Sequence, residues 1–150
     1  MTLLPRSAHF AILAVLDIAL HARGRPVSSK ELAARHDLPP RRLEGLLQAL
    51  VRAGILKSLR GPSGGYELAR ERRRLTLAEI VRVALRAEAD DLGCPRRAAA
   101  SLEAVLEPML QEIEARMFER LEAISLDDLH ARALAGGLGE ERDAGSDFAI

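Results

Sequence analysis

Twelve residues, Lys57-Ser58-Leu59-Arg60-Gly61-Pro62-Ser63-Gly64-Gly65-Tyr66-Glu67-Leu68, restrict what this chain can fold into more than any others. Two strand-like pieces, Ile55 to Arg60 and Tyr66 to Ala69, flank a tip of glycine, proline and serine. Gly61, Gly64 and Gly65 can turn the chain tightly and let the backbone approach another surface. Lys57 and Arg60 make the hairpin cationic. Taken alone it reads as an ordinary surface hairpin; the sequence before it changes that reading.

Ser7 to Ala22 has helical periodicity, with Phe10, Leu13, Ala14, Asp17 and Ile18 in phase, and is apolar nearly all round. Gly24 and Pro26 end it. Ser28-Ser29-Lys30-Glu31 fits a capping box that opens a short second helix, broken at His36-Asp37-Leu38. Pro39 and Pro40 suit the first turn of a third helix, Arg41 to Ala53. Its buried stripe is Leu43, Leu46, Leu47 and Leu50, leaving Arg41, Arg42, Glu44, Gln48 and Arg52 outward. Gly54 suits a left-handed cap. Two short helices, a tight turn and a two-stranded wing define a winged helix-turn-helix. The fold class expected is mainly α, with a small two-stranded β-wing.

The second half differs in kind. Thr76-Leu77-Ala78-Glu79 fits a capping box for a helix through Ile80 and Ala84, placing a winged helix-turn-helix domain over residues 1–88. A loop over residues 89–97 holds Gly93-Cys94-Pro95. Ala98 to Ile124 reads as one long helical stretch, with a kink or later start expected at Pro108. Its apolar line is Leu102, Leu106, Met109, Ile113, Met117 and Leu121, broadened by Val105, Leu110 and Ile124. Ser125-Leu126-Asp127-Asp128 opens a short last helix, which completes a segment over residues 98–135. A disordered tail is expected over residues 136–150. A long amphipathic helix outside a small domain needs a partner for its stripe, and two-fold DNA sites are read by two-fold dimers. The apolar line is therefore the expected homodimer interface.

The formal net charge of zero hides a split. From Met1 to Arg74, fourteen Lys and Arg against six Asp and Glu leave +8; beyond it, eight bases against sixteen acids leave −8. Such asymmetry suits a polyanion-binding half joined to a half with another task. A lone Cys94 excludes an intramolecular disulfide and suits a reducing compartment. Leu13 to Leu20 is too short to span a bilayer, and Met1 to Phe10 lacks the layout of a signal peptide, so a cytoplasmic protein without membrane contact is expected.

The basic half carries the candidate chemistry. An α-helix fits the major groove, and its N-terminal side chains lie nearest base edges, here Arg41, Arg42 and Glu44 with Gln48 one turn on. Glu44 can accept from cytosine's amino group and Gln48 can pair with adenine, while an Arg clamps guanine or holds phosphate. Arg60 on the wing suits a narrow minor groove, with Lys57, Gly61, Ser63 and Gly64 around it. Ser28, Ser29 and Lys30 at a helix N-terminus suit a phosphate. For any one of these residues, a solvated surface group is an equal reading; as a set on one polarised half they point to double-stranded, palindromic DNA.

The run from Leu43-Glu44 through Leu50-Val51-Arg52-Ala53-Gly54 to the Arg60-Gly61-Pro62-Ser63-Gly64-Gly65-Tyr66 wing resembles the Rrf-two family of bacterial repressors, the IscR/NsrR type. His9-Phe10-Ala11 with Leu16-Asp17-Ile18-Ala19 is similar to that family's first helix, and Ser125-Leu126-Asp127-Asp128-Leu129 to its Thr-Leu-x-x-Leu ending. The resemblance covers Ser7 to about Leu129. It implies a homodimeric transcription regulator, usually a repressor, with crossed long helices, and it carries recognition-helix and wing contacts to Glu44 and Arg60. Cluster-bearing members hold iron–sulfur through three closely spaced cysteines. This sequence has Cys94 alone, and His9 stands where some members place a fourth ligand. Because such clusters take four ligands, mostly thiolates, no cofactor is expected. Mixed ligation would have to draw on Glu88, Asp90 or Asp91, with His21 and His36 able to join only if the fold brings them close. Two readings of Cys94 stay open: an inert loop residue, or a redox-reactive thiol whose pKa Arg96 and Arg97 lower.

A winged-helix module that binds protein, and an iron–sulfur sensor with unusual ligands, are the alternative functions. An enzyme is not expected: the wing glycines lack the Gly-Lys-Ser/Thr ending that cradles nucleotide phosphate, and His9, His21, His36 and His130 are scattered.

Overall fold

The computed structural model describes residues 3–92 and 100–139. Its elements are α1 (Arg6–His21), α2 (Ser29–His36), α3 (Pro40–Arg52), β1 (Leu56–Leu59), β2 (Gly65–Leu68), a 3-10 turn (Arg72–Arg74), α4 (Leu77–Leu92), α5 (Ala100–Glu122) and α6 (Leu126–Ala135). β1 and β2 pair antiparallel in the register Leu56 with Leu68 and Leu59 with Gly65. This is the expected winged helix-turn-helix with a long helix beyond it.

Local signals explain the starts and stops. Ser28 Oγ accepts from the Glu31 amide at 3.2 Å while Glu31 Oε2 accepts from the Ser28 amide at 2.8 Å, a complete capping box. Asp37 turns left-handed (φ 49) to end α2, Pro40 fills the first turn of α3, and Gly54 (φ 73) follows its end. At Thr76 the box is only half made. Thr76 Oγ1 accepts from the Glu79 amide at 3.3 Å, but the Glu79 carboxylate pairs with Arg70 instead of reaching back. Ser125 and Asp128 form a reciprocal box at α6.

Leu32, Leu43, Leu47 and Leu50 of the helix-turn-helix are buried in one core with Val15 and Ile18 of α1 and Ile80 and Val81 of α4. Leu126, at the start of α6, is fully buried in this same core. The chain therefore returns to the N-terminal domain after α5. Residues on either side of Thr76 and Ser125 pair antiparallel, Leu77 N–H donating to Ile124 O at 3.0 Å and Leu126 N–H to Leu75 O at 2.8 Å.

Several boundaries differ from expectation. α4 continues to Leu92, into the segment expected to be loop, and Cys94, Arg96 and Arg97 lie outside the described residues. α5 runs unbroken through Pro108. Proline there removes one bond to the carbonyl of Ala104, a residue that is exposed, so water can serve it. Gly136 to Gly139, expected to be tail, form turns on the end of α6, where Leu138 N–H donates to Ala133 O at 2.9 Å; residues 140–150 lie outside the described residues. No helix among the described residues is long and apolar enough to cross a membrane.

Candidate nucleic-acid interface

α1 fixes the helix-turn-helix through an ion pair with one buried partner. Asp17 is the only buried charged residue among those described. Arg35, at the end of α2, grips it with a fork: Nη2 to Oδ1 at 2.7 Å and Nε to Oδ2 at 3.0 Å. His36 Nε2 lies 2.7 Å from Oδ2 and His21 Nδ1 3.2 Å from Oδ1. His21 and His36 do come together, then, but on a carboxylate. The sequence signal was Asp17 itself, a charge on the buried phase of an apolar helix; its partners could not be read.

α3 presents an amphipathic face. Leu43, Leu46, Leu47 and Leu50 are buried, while Arg41, Arg42, Glu44 and Gln48 are exposed. Among the described residues, those four side chains and that of Arg60 make no hydrogen bond or ion pair. Ser29 and Lys30 are likewise unengaged at the start of α2. Ser28 takes the capping role expected of it, its hydroxyl oxygen accepting from the Glu31 amide. Lys57 is exposed on the wing, its Nζ lying 3.2 Å from Glu67 on the opposite strand.

The wing is built for close approach. Gly61 takes φ 111 and its carbonyl accepts from the Gly64 amide at 2.9 Å, closing the tip with Ser63 exposed between them. A Cβ on Gly64 would collide with the carbonyl of Leu59. Gly65 serves a different purpose. A Cβ there would lie 2.5 Å from Val27 O and 3.0 Å from the Ser28 amide nitrogen. Val27 and Tyr66 exchange both backbone bonds, at 3.0 and 2.8 Å, so Val27 pairs alongside β2. The second strand of the wing is thereby locked to the segment that leads into α2, and the Gly54 turn joins the wing to α3. Three cationic features predicted separately (the start of α2, the outward face of α3 and the wing) become one rigid unit.

α5 projects from this unit. Leu102, Val105, Leu106, Met109, Leu110 and Ile113 are between 48% and 75% exposed. Met117 is half-buried, and Leu121, expected at an interface between copies, packs with Phe118 and Ile124 against the chain's own core. Arg82 stacks over the Phe118 ring at 4.6 Å and pairs with Glu122 at 2.6 Å, holding this end of α5 on α4.

The donor set does not fit an iron–sulfur cluster. The chain has one cysteine, against the four mainly thiolate ligands such clusters use. Glu88 is held by Ser7 Oγ at 2.6 Å, and the exposed His9 belongs to no group of three or more His, Cys, Asp or Glu side chains suited to a metal among the described residues.

A helix-turn-helix with an anchored wing and a long helix beyond it defines a winged-helix transcriptional regulator. The model of the Rrf2 family, described as iron-dependent transcriptional regulators, matches residues 4–132, and the chain belongs to that family. It is 35% identical over 132 residues to an HTH-type transcriptional regulator named ORF2 from Azotobacter vinelandii, covering 87% of this chain and 80% of that one. It is 36% identical over 78 residues to the HTH-type transcriptional regulator IscR of Xenorhabdus nematophila, covering 52% and 48%. Among solved structures it is similar to T. potens IscR, with a TM-score of 0.66 and 29% identity over 96% of this chain and 94% of that one. It is similar too to CymR of B. subtilis, a cysteine regulator, with a TM-score of 0.66 and 26% identity over 88% and 98%.

Proposed function

We propose that this chain is a cytoplasmic, homodimeric repressor that reads a palindromic operator with α3 and the wing. The observation that carries the reading is the set of unpaired side chains, Arg41, Arg42, Glu44, Gln48 and Arg60, on elements locked together by the Val27–Tyr66 pairing. Side chains left free on a rigid frame are pre-organised for an external partner, and the charge of their half selects a polyanion. In this reading Arg41, Arg42, Glu44 and Gln48 meet the major groove. Arg60, Gly61, Ser63 and Gly64 meet the adjacent minor groove, and Ser29 and Lys30 hold phosphate, with Ser28 and Lys57 beside them in supporting places.

The second copy covers α5. Six large apolar side chains about half exposed or more on one helix are far more than a monomer leaves in water. A two-fold pairing through Leu102, Leu106, Met109 and Ile113, with Met117 at its edge, would present two wings to two half-sites. With one thiol, the regulator is proposed to work without an iron–sulfur cluster of its own; protein purified anaerobically should be colourless, and a visible chromophore would contradict this. Fluorescence anisotropy with DNA from upstream of the chain's own gene tests the binding reading. The expected result is saturable binding that weakens steeply with salt, and no binding at low salt would refute it.

A further inference from the structure

Beside the end of β2 lies a feature the DNA reading leaves unused. A recess of about 900 Å³ opens between the end of α1, the segment running from β2 into the 3-10 turn, and α6. Its lining combines apolar Ile18, Ala19, Ala22 and Leu68 with Arg23, Arg70, Arg72, Arg73 and His130. Arg70 is paired with Glu79 and Arg72 with Asp127 at 3.3 Å, but Arg23 and Arg73 make no ion pair among the described residues. Arg72 Nη1 also donates to His130 Nε2 at 2.6 Å. Because a guanidinium can only donate, the ring nitrogen facing it must accept, which leaves His130 neutral and its other nitrogen carrying the proton. Two free guanidiniums and an Arg–His contact therefore converge on one concavity, an arrangement an anion would complete.

We propose that this recess binds a small polyvalent oxyanion, of phosphate or polycarboxylate chemistry, held by Arg23, Arg73 and the Arg72–His130 pair. A DNA backbone is the other polyanion these arginines could meet. The carboxylates of Glu67, Glu71 and Asp127 also line the recess and would oppose a continuous phosphate chain, whereas a compact anion can sit among the arginines. The walls give the site a consequence, which rests on the DNA-binding reading. One side is β2, the strand of the wing that pairs with Val27, and the other is α6, which follows the proposed dimer helix. An occupant would brace the wing against α6, so binding of anion and of DNA would be coupled. Burial and the adjacent Arg72 guanidinium, with Arg23 adding to them and Asp127 opposing, hold the His130 ring below the ordinary histidine pKa. An arriving anion would reverse that balance, so its binding should take up a proton.

The test is calorimetric titration of the full chain with pyrophosphate and with citrate, against chloride of matched ionic strength, with thermal melting as a second readout. Matching matters because both anions stabilise proteins generally by exclusion. Saturable binding of at least one probe is expected, weakened about tenfold or more in Arg23→Ala/Arg73→Ala and in His130→Gln. The probe that binds distinguishes phosphate from carboxylate chemistry. Affinity should also rise as the pH is lowered from about 8 to about 6, and His130→Gln should flatten that rise. No saturable signal with either probe, or equal binding by the double variant, overturns the proposal. So does a wild type that binds no anion while the double variant loses DNA affinity, since the arginines would then serve DNA. The calorimetric and melting readouts contain no DNA, so they succeed or fail independently of the operator reading; only the last comparison adds DNA.

Discussion

Replacing Arg35 by Ala tests whether Asp17 anchors the helix-turn-helix. Asp17 is 4% exposed and Arg35 31% exposed, and the pair is a two-bond fork. Removing one partner of such a pair strands a carboxylate out of water, which costs about 3–5 kcal/mol. His36 at 2.7 Å and His21 at 3.2 Å stay behind to share the charge, which puts the expected loss near the lower end, about 3 kcal/mol. In urea unfolding at neutral pH and fixed protein concentration, that loss lowers the midpoint by about 1–2 M. Arg35→Lys keeps the charge but not the fork and should recover only part of the loss. Arg52→Ala, exposed and unengaged on α3, should change stability by less than about 0.5 kcal/mol. Asp17→Asn combined with Arg35→Ala should cost less than the sum of the two single changes, because the stranded charge has gone. A loss under about 1 kcal/mol for Arg35→Ala, or strict additivity in the pair, would show that Asp17 does not anchor the helix-turn-helix through Arg35.

Gly65→Ala should destabilise the chain by about 1–3 kcal/mol and weaken DNA binding, since its Cβ would press on the Val27 carbonyl at 2.5 Å and part the wing from α2; circular dichroism melts and anisotropy read the two effects. Ile113→Glu places a charge in the middle of the exposed face of α5 and should shift sedimentation from dimer to monomer, whereas Leu121→Ala should chiefly lower stability, because Leu121 lies on the chain's own core. The backbone amides of Ser28 and Ser125 hold Glu31 and Asp128 below the usual carboxylate pKa. Their stabilising effect is therefore complete above the unfolded values and is lost as pH falls through the acid range below about 4.5. Ser28→Ala, which removes half of the α2 cap, should cost about 1 kcal/mol and make that acid loss shallower in pH-dependent melts.

Much of this fold is legible because its signals are local. Ser28 and Glu31, Pro40, Gly54 and the Gly61–Gly65 tip each act within a few residues, through bonds or dihedral angles that their side chains dictate. What the sequence hides depends on distance along the chain. Arg35 and His36 lie 18 and 19 residues from Asp17, so the anchor exists only once α1 and α2 pack. Glu79 looked like the reciprocal half of a cap, but Arg70 offers its carboxylate a charged partner, and charge-assisted bonds are the stronger ones. Leu121 follows the periodicity of the exposed stripe, yet Phe118 and Ile124 show where that stripe turns onto the core. The exposed residues of the interface were readable from amphipathic phase. Their joining into one unit was not, because the Val27–Tyr66 pairing is a tertiary contact.

In the proposed function, the free cations of α3 and the wing read DNA. Salt-dependent anisotropy of wild type and Arg60→Ala on the same operator fragment tests it most directly. A steep log–log fall of affinity with salt is expected for wild type. Arg60→Ala should bind about 5- to 100-fold more weakly at fixed salt, with a slope reduced by about one ion per wing. Equal affinity and equal slope for the two proteins would contradict it.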